Sequence, residues 1–457
     1  MCGVFGIRSA ERDVARLTYF GMFALQHRGQ ESAGIAVSNQ GRLTVVRDMG
    51  LVAQVFNEEK LQALPGEVAI GHTRYSTTGS SHWDNAQPMV HHGSVRTVAI
   101  GHNGNLTNTR ALRESLAVRQ IPLGATSDTE AIAALVGHDP ASLTDAVAGA
   151  MAKLEGAYSV VLLSEGRLVG FRDAHGIRPL ALGRLGDDWV LASETCALDL
   201  IGARFDREVR PGELVVIDEK GLTSTQALPE ARQALCIFEH VYFARPDSTL
   251  AGAEVHGVRV RMGERLAVEA PVEADLVMPI PDSGTPAAVG YSRASGIAFT
   301  EGVIKNRYVG RTFIQPDQGL REQGIKLKFN PLAEVAGKRL VIVDDSIVRG
   351  STMRQLVAML QDAGAAEVHV RISSPPIVSP CYYGIDFADV EQLAASSRSV
   401  EEMRELIGAT SLHYLSVEGM QAATRLPERS VCRACFTRDY PTRVPLESAA
   451  KLRFESV

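Results

Sequence analysis

The sequence predicts a mixed α/β and α+β molecule in two parts. Stacked strand layers with helices outside come first, and a parallel α/β sheet follows. Three observations predict it. The first half holds short strands bounded by Gly, Ser, Thr and Asn, the second holds unbroken apolar runs, and the composition is that of an ordinary globular protein. With 45% hydrophobic and 22% charged residues, disorder, collagen and coiled coil are excluded. At roughly 150 residues per domain, 457 residues suit two or three domains. A formal net charge of −6 argues against a general nucleic-acid coat.

No stretch approaches the ~18 consecutive apolar residues of a membrane span. The start lacks a basic segment followed by an apolar core, so no export signal is read and a reducing cytoplasm is expected. Six cysteines are too few for a disulfide scaffold, so each one needs its own reason.

In the first half, 67–71, 97–101 and 158–163 read as strands, with helices at 131–137 and around 146–154. In the second, 276–280 and 340–343 are continuously apolar, as strands buried on both faces are. Met353, Leu356, Val357 and Leu360 then fall at i, i+3, i+4 and i+7 of a helix that Gly364 should end. A strand at 367–372 completes a βαβ unit, and ligands of such sheets bind beyond the carboxyl ends of the strands. The boundary is placed near 230, giving parts 2–230 and 231–457.

Cys2 directly follows Met1. Removing that methionine would put a thiol nucleophile and an amine base on one residue. Maturation would then need no self-processing. Alone, a cysteine at position two says little, but its company matters. Arg74 in Gly71-His72-Thr73-Arg74, Asn103 and Gly104 in Gly101-His102-Asn103-Gly104, and Asp128 in Thr126-Ser127-Asp128 form a glutamine-hydrolysing inventory. Arg74 offers a cation for the substrate α-carboxylate and Asp128 an anion for its α-ammonium. The Asn103 side-chain amide and the Gly104 N–H offer donors for the oxyanion. Each taken singly is more often an ion pair, a turn or a helix cap.

Those motifs, with Met-Cys-Gly-Val-Phe-Gly at the start and 25–34 (Leu-Gln-His-Arg-Gly-Gln-Glu-Ser-Ala-Gly), resemble the class II glutamine amidotransferases. The closest resemblance is to the glutaminase half of the amidophosphoribosyltransferase family. It implies an N-terminal-nucleophile (Ntn) hydrolase αββα sandwich for the first half.

At 340–352 a buried strand ends in two carboxylates, Asp344 and Asp345. A short loop with Ser346 and Gly350 then enters a helix at Ser351 and Thr352. The helix start and the three hydroxyls suit a phosphate, and the carboxylates suit ribose hydroxyls or Mg²⁺. The segment matches neither the P-loop nor G-x-G-x-x-G. It resembles the phosphoribosylpyrophosphate (PRPP) signature of type I phosphoribosyltransferases. The resemblance makes Asp282, Ser283 and Gly284 the pyrophosphate loop, with Ser283 joining Asp344 and Asp345 at Mg²⁺. The basic stretch from Lys305 through Lys326 and Lys328 resembles the loop that closes over the substrate.

Cys432 and Cys435 form a CxxC pair, with Cys236 and Cys381 far upstream. Spacing leaves zinc and iron–sulfur open. One subgroup of the family holds a [4Fe-4S] cluster by four cysteines in this order, which implies a structural cluster here. Cys196 reads as a packed thiol.

The resemblance implies the first committed step of purine synthesis. Glutamine would supply ammonia that displaces pyrophosphate from PRPP, giving 5-phosphoribosylamine, glutamate and pyrophosphate. It also implies a homotetramer inhibited by purine nucleotides. The rivals are another class II amidotransferase, which would lack the acidic loop, and a non-catalytic PRPP-binding sensor of purines or oxygen, which would not need Cys2.

Overall fold

The computed structural model describes residues 1–76, 79–306, 327–386 and 390–444. Among them, the first half forms two antiparallel sheets. One runs in the order Arg204–Glu208, Ala181–Leu185, Asp188–Ala192, Gly3–Arg8, Val68–Arg74, Ser32–Asn39, Arg42–Met49. The other runs Gly221–Gln226, Glu213–Asp218, Arg167–Arg172, Gly156–Ser164, Thr97–Leu106, Met89–His92.

Side-chain alternation explains how they stack. Val4, Ile70, Ala99 and Val161 point into one core shared by both sheets. Phe5 and Ile7 turn the other way, against Val14 and Met22 of the helix Val14–Ala24. On the far side, Val98, Ile100, Val160 and Leu162 pack on Ile132 and Val136 of the helix Asp128–Gly137. Helix, sheet, sheet, helix is the αββα order that the family resemblance implied.

One strand differs from the sequence reading in a way that matters. Residues 97–101 were expected to end before the Asn103 motif, yet the strand runs Thr97–Leu106. Asn103 pairs with Ser159 and Gly104 with Tyr158, so the neighbouring strand carries the ladder through the motif. Likewise Arg74 is the last residue of its strand.

The second half is built on a five-stranded, wholly parallel sheet ordered Ala298–Phe299, Leu276–Pro279, Arg339–Asp344, Glu367–Ile372, Ser411–Tyr414. Both faces are covered, which is why its strands read as unbroken apolar runs. Val277, Val341 and Val343 meet Val258, Met262 and Tyr291 of the helices Val255–Glu269 and Thr285–Ser295. Leu340 and Ile342 meet Met353, Leu356, Val357 and Leu360 of the helix Ser351–Asp362, which stops before Gly364 as expected. Each such buried side chain contributes about 1.5–3 kcal/mol relative to exposure.

The two halves share a core. Met1, Ala157 and Ile177 pack with Cys236, Cys432, Cys435 and Tyr383. The short strand Leu235–Cys236 pairs in parallel with Val431–Cys432, joining the start of the second half to its end. No helix among the described residues is long and apolar enough to cross a membrane.

Candidate active sites

Cys2 enters the first sheet, with Gly3 paired to Thr73 and so beside Arg74. Asn103 arrives from the facing sheet. The Cys2 backbone N–H donates to Asn103 Oδ1 at 3.2 Å. That orientation leaves Asn103 Nδ2 buried without a hydrogen-bond partner. A buried orphan donor costs about 1–3 kcal/mol. A negatively charged oxygen held beside Cys2 Sγ would satisfy it.

Gly104, the second proposed donor, has φ +150°, and a Cβ there would stand 2.0 Å from the Ala157 carbonyl oxygen. Only glycine fits so close to the neighbouring strand.

Burial pushes the Cys2 thiol up, while Tyr75 and Arg74 pull the other way. The Tyr75 N–H donates to Cys2 Sγ at 3.5 Å. The resting sulfur is therefore a thiol that needs a base. Burial also lowers the Met1 amine to about 5.

Arg74 is buried, donating to the Ser80 carbonyl at 3.0 Å and reaching Glu31 at 3.5 Å. Glu31 also accepts from Ser76 and Ser81. Sequence reasoning missed Glu31 as the partner that orients Arg74, although it lies inside the quoted Gln30-Glu31-Ser32 motif.

Asp128 opens its helix, and its Oδ2 accepts the Leu106 N–H at 2.9 Å. Burial works against its charge, but His102 and that N–H hold the carboxyl below the usual range. It is an anion close to the Asn103–Gly104 strand end. Cys2 thus meets Asn103 directly and feels the charge of Arg74, while Asp128 stands by the strand that carries Asn103 and Gly104.

The second group gathers at the carboxyl ends of two adjacent parallel strands, where Pro279 pairs with Val343. The Ile280 N–H donates to the Val343 carbonyl at 2.9 Å, which sets the loop of Asp282, Ser283 and Gly284 beside Asp344. The Asp345 N–H donates to Asp344 Oδ1 at 2.9 Å, and Ser346 Oγ donates to Asp345 Oδ1 at 2.6 Å. Burial and then the neighbouring Asp345 push the Asp344 carboxyl up. Two crowded carboxylates of this kind suit a cation.

Gly350 precedes the helix that opens with Ser351 and Thr352, both exposed. Lys305 Nζ pairs with Asp282. Lys326 lies outside the described residues.

All six cysteines are free thiols. Four of them, Cys236, Cys381, Cys432 and Cys435, line a single pocket with Ile177, Tyr383, Ile385, Ala434 and Tyr440. Burial raises the Cys236 thiol to about 11 and raises Cys432 and Cys435 as well, with neighbouring sulfurs adding to it. Among the described residues no three His, Cys, Asp or Glu side chains gather as around a single ion. Four cysteine sulfurs about one pocket, with no imidazole or carboxylate in its lining, are the donor set of a cluster in which each thiolate takes one iron. Cys196 is packed instead, its Sγ 3.9 Å from the Ala24 carbonyl.

An Ntn glutaminase half joined to a parallel phosphoribosyltransferase sheet defines a glutamine-dependent phosphoribosyl-transferring enzyme. Comparison with known proteins agrees. The family description "Glutamine amidotransferase domain" matches residues 72–200, and "Phosphoribosyl transferase domain" matches 262–373. The amidophosphoribosyltransferase of Synechocystis is 53% identical over 100% of this chain and 94% of its own length. That of Bacillus subtilis is 46% identical over 97% and 94%. The solved glutamine PRPP amidotransferase from B. subtilis, complexed with ADP and GMP, covers 99% of this chain and 100% of its own, with 44% identity and a TM-score of 0.93. The chain belongs to the amidophosphoribosyltransferase family. It is an enzyme, and its reaction is the first step of purine biosynthesis.

Proposed function

We propose that Cys2, freed of Met1, is the nucleophile of a glutaminase site that feeds ammonia to a PRPP site in the second half. The division falls at 2–230 and 231–457. Sγ attacks the glutamine carboxamide carbon while the Cys2 amine takes the thiol proton. The oxyanion collects hydrogen bonds from Asn103 Nδ2 and the Gly104 N–H, the C–N bond breaks, and ammonia leaves carrying that proton. Water then cleaves the thioester to glutamate. Arg74 pairs with the substrate carboxylate and Asp128 with its ammonium. The observation that carries the reading is the unpaired Asn103 Nδ2 beside Cys2.

Ammonia then reaches C1 of PRPP internally and displaces pyrophosphate. No strong base is needed, because ammonia is already a nucleophile and the enzyme positions it. Ser346, Gly350, Ser351 and Thr352 receive the 5-phosphate, Asp344 and Asp345 face the ribose, and Asp282, Ser283 and Gly284 receive the pyrophosphate. Lys305 and Lys326 stand at the loop that covers it. Ser283, Asp344 and Asp345 would hold Mg²⁺, which neutralises charge on the leaving group when bound.

Cys236, Cys381, Cys432 and Cys435 would hold a [4Fe-4S] cluster of structural role, since the reaction moves no electrons. The ADP and GMP of the B. subtilis complex support inhibition by purine nucleotides. A cytoplasmic homotetramer is proposed with them.

The test is pyrophosphate release by anaerobically purified protein given Mg²⁺ and PRPP, with glutamine or ammonium as donor. Release with both is expected. Release with neither, from protein that binds PRPP, overturns the reading in favour of a sensor.

A further inference from the structure

The residues that follow Cys381 belong to the transferase half, yet they lie on the glutaminase strand at its most demanding point. Asn105 Nδ2 donates to the Tyr382 carbonyl at 2.9 Å. Gly384, at φ +104°, lies against Gly104 so closely that a Cβ on it would stand 3.0 Å from both the carbonyl carbon and oxygen of Gly104. Tyr75 Oη donates to Asp386 at 3.4 Å.

The segment is itself held from behind. Arg178, fully buried, donates from Nε and Nη2 to the Tyr383 carbonyl at 2.8 and 2.5 Å. The Tyr383 N–H donates to Cys381 Sγ at 3.4 Å. Its hydroxyl shares a hydrogen bond with Thr442 at 2.8 Å. The chain thus bears on Gly104 from one side while Ala157 bears on it from the other.

We infer that 382–386 is a positioning element for the oxyanion donors. Gly384 and the Asn105–Tyr382 bond fix where the Gly104 N–H points, and Arg178 fixes the segment. The inference rests on the proposed assignment of Asn103 and Gly104 as donors. Their alignment matters only as charge develops on the substrate oxygen, so misplacing them lowers kcat and leaves glutamine binding alone. The glutaminase site is complete only when the transferase half is docked on it.

The test uses the full-length protein carrying Gly384→Ala or Asn105→Ala. Alanine at Gly384 meets both the close contact and a φ that L residues rarely adopt. Asn105→Ala removes the tether to Tyr382 without adding a Cβ against Gly104, and serves should the first variant fail to fold. Glutamate release should fall about tenfold to a hundredfold in kcat, with KM for glutamine within about twofold. Ammonium-dependent pyrophosphate release should stay at the unsubstituted level. Unchanged kcat in both variants overturns the inference, as does an equal fall in both activities, the mark of a merely structural contact. Asn103→Ala separates the two layers. If it lowers kcat while Gly384→Ala and Asn105→Ala do not, only the positioning role falls. If it also leaves kcat untouched, the donor assignment falls with it.

Discussion

The Cys2 backbone nitrogen and Asn103 Oδ1 lie 3.2 Å apart across two sheets that share no hydrogen-bonded ladder. One amide side chain thereby accepts from Cys2 with its oxygen while its nitrogen stays buried without a hydrogen-bond partner. Cys2→Ala should abolish glutamine-dependent synthesis and retain synthesis from ammonium salts. Asn103→Ala should cost about 10²–10³ in kcat for glutamate release with little change in KM. Loss of ammonium-dependent synthesis in the Cys2 variant would refute the division of labour between the halves.

Asp345 tests the other site. Its carboxylate is oriented by Ser346 Oγ at 2.6 Å, and it adjoins Asp344 at the strand end. Asp345→Asn keeps the shape and removes the charge. Ammonium-dependent pyrophosphate release should fall at least about tenfold, because cation and ribose binding both lose a carboxylate. Glutamate release should remain measurable. An unaffected transfer rate would take Asp345 out of the site.

How much of this was legible in the chain depended on sequence distance. The strand, loop and helix start from 340 to 352 were readable because the residues that make them are consecutive. The parallel sheet was readable because burial on both faces leaves unbroken apolar runs. The glutaminase residues were readable as separate motifs but not as geometry. Nothing local says that the Asn103 motif lies within a strand, since that is decided by pairing with Gly156–Ser164. Glu194 and Glu239 were illegible as partners of Arg28, being 166 and 211 residues away. Gly384 was equally illegible, because what makes it special is the backbone of Gly104, reached from the other half of the chain.

The cysteines give a third prediction. Cys435 is buried in the pocket that also holds Cys236, Cys381 and Cys432. Its backbone carbonyl accepts from Val378 and Ser379 at 2.9 and 3.1 Å, so it also anchors the approach to Cys381. Cys435→Ser conserves volume and removes a soft ligand. Iron content and brown absorbance should both fall, and the thermal midpoint should drop by roughly 2–4 °C for each kcal/mol lost. Full iron occupancy in the variant would exclude Cys435 as a ligand.

The last prediction concerns stability at the junction. Glu194 is fully buried, accepting from Arg28 Nε, from Ser248 Oγ at 2.6 Å and from the Arg245 N–H at 2.8 Å. Arg28 Nη2 also reaches Glu239, across the boundary between halves, at 2.6 Å. Burial alone would raise the Glu194 carboxyl, but Arg28, His27 and Ser248 hold it far below the usual carboxylate range. A carboxyl depressed in the folded state stabilises that state above its unfolded value of about 4.3. Stability is lost as pH falls below that value toward the folded one, because only the unfolded chain then gains the proton. Glu194→Ala should therefore destabilise at pH 7 by roughly 3–5 kcal/mol, since it leaves the buried Arg28 guanidinium with Glu239 as its one remaining carboxylate. The difference from the unsubstituted protein should shrink as the pH falls below about 4, where wild-type Glu194 loses its advantage. Denaturant titrations at pH 7, 4 and 3 measure it, and a pH-independent difference would mean that Glu194 acts through packing rather than charge.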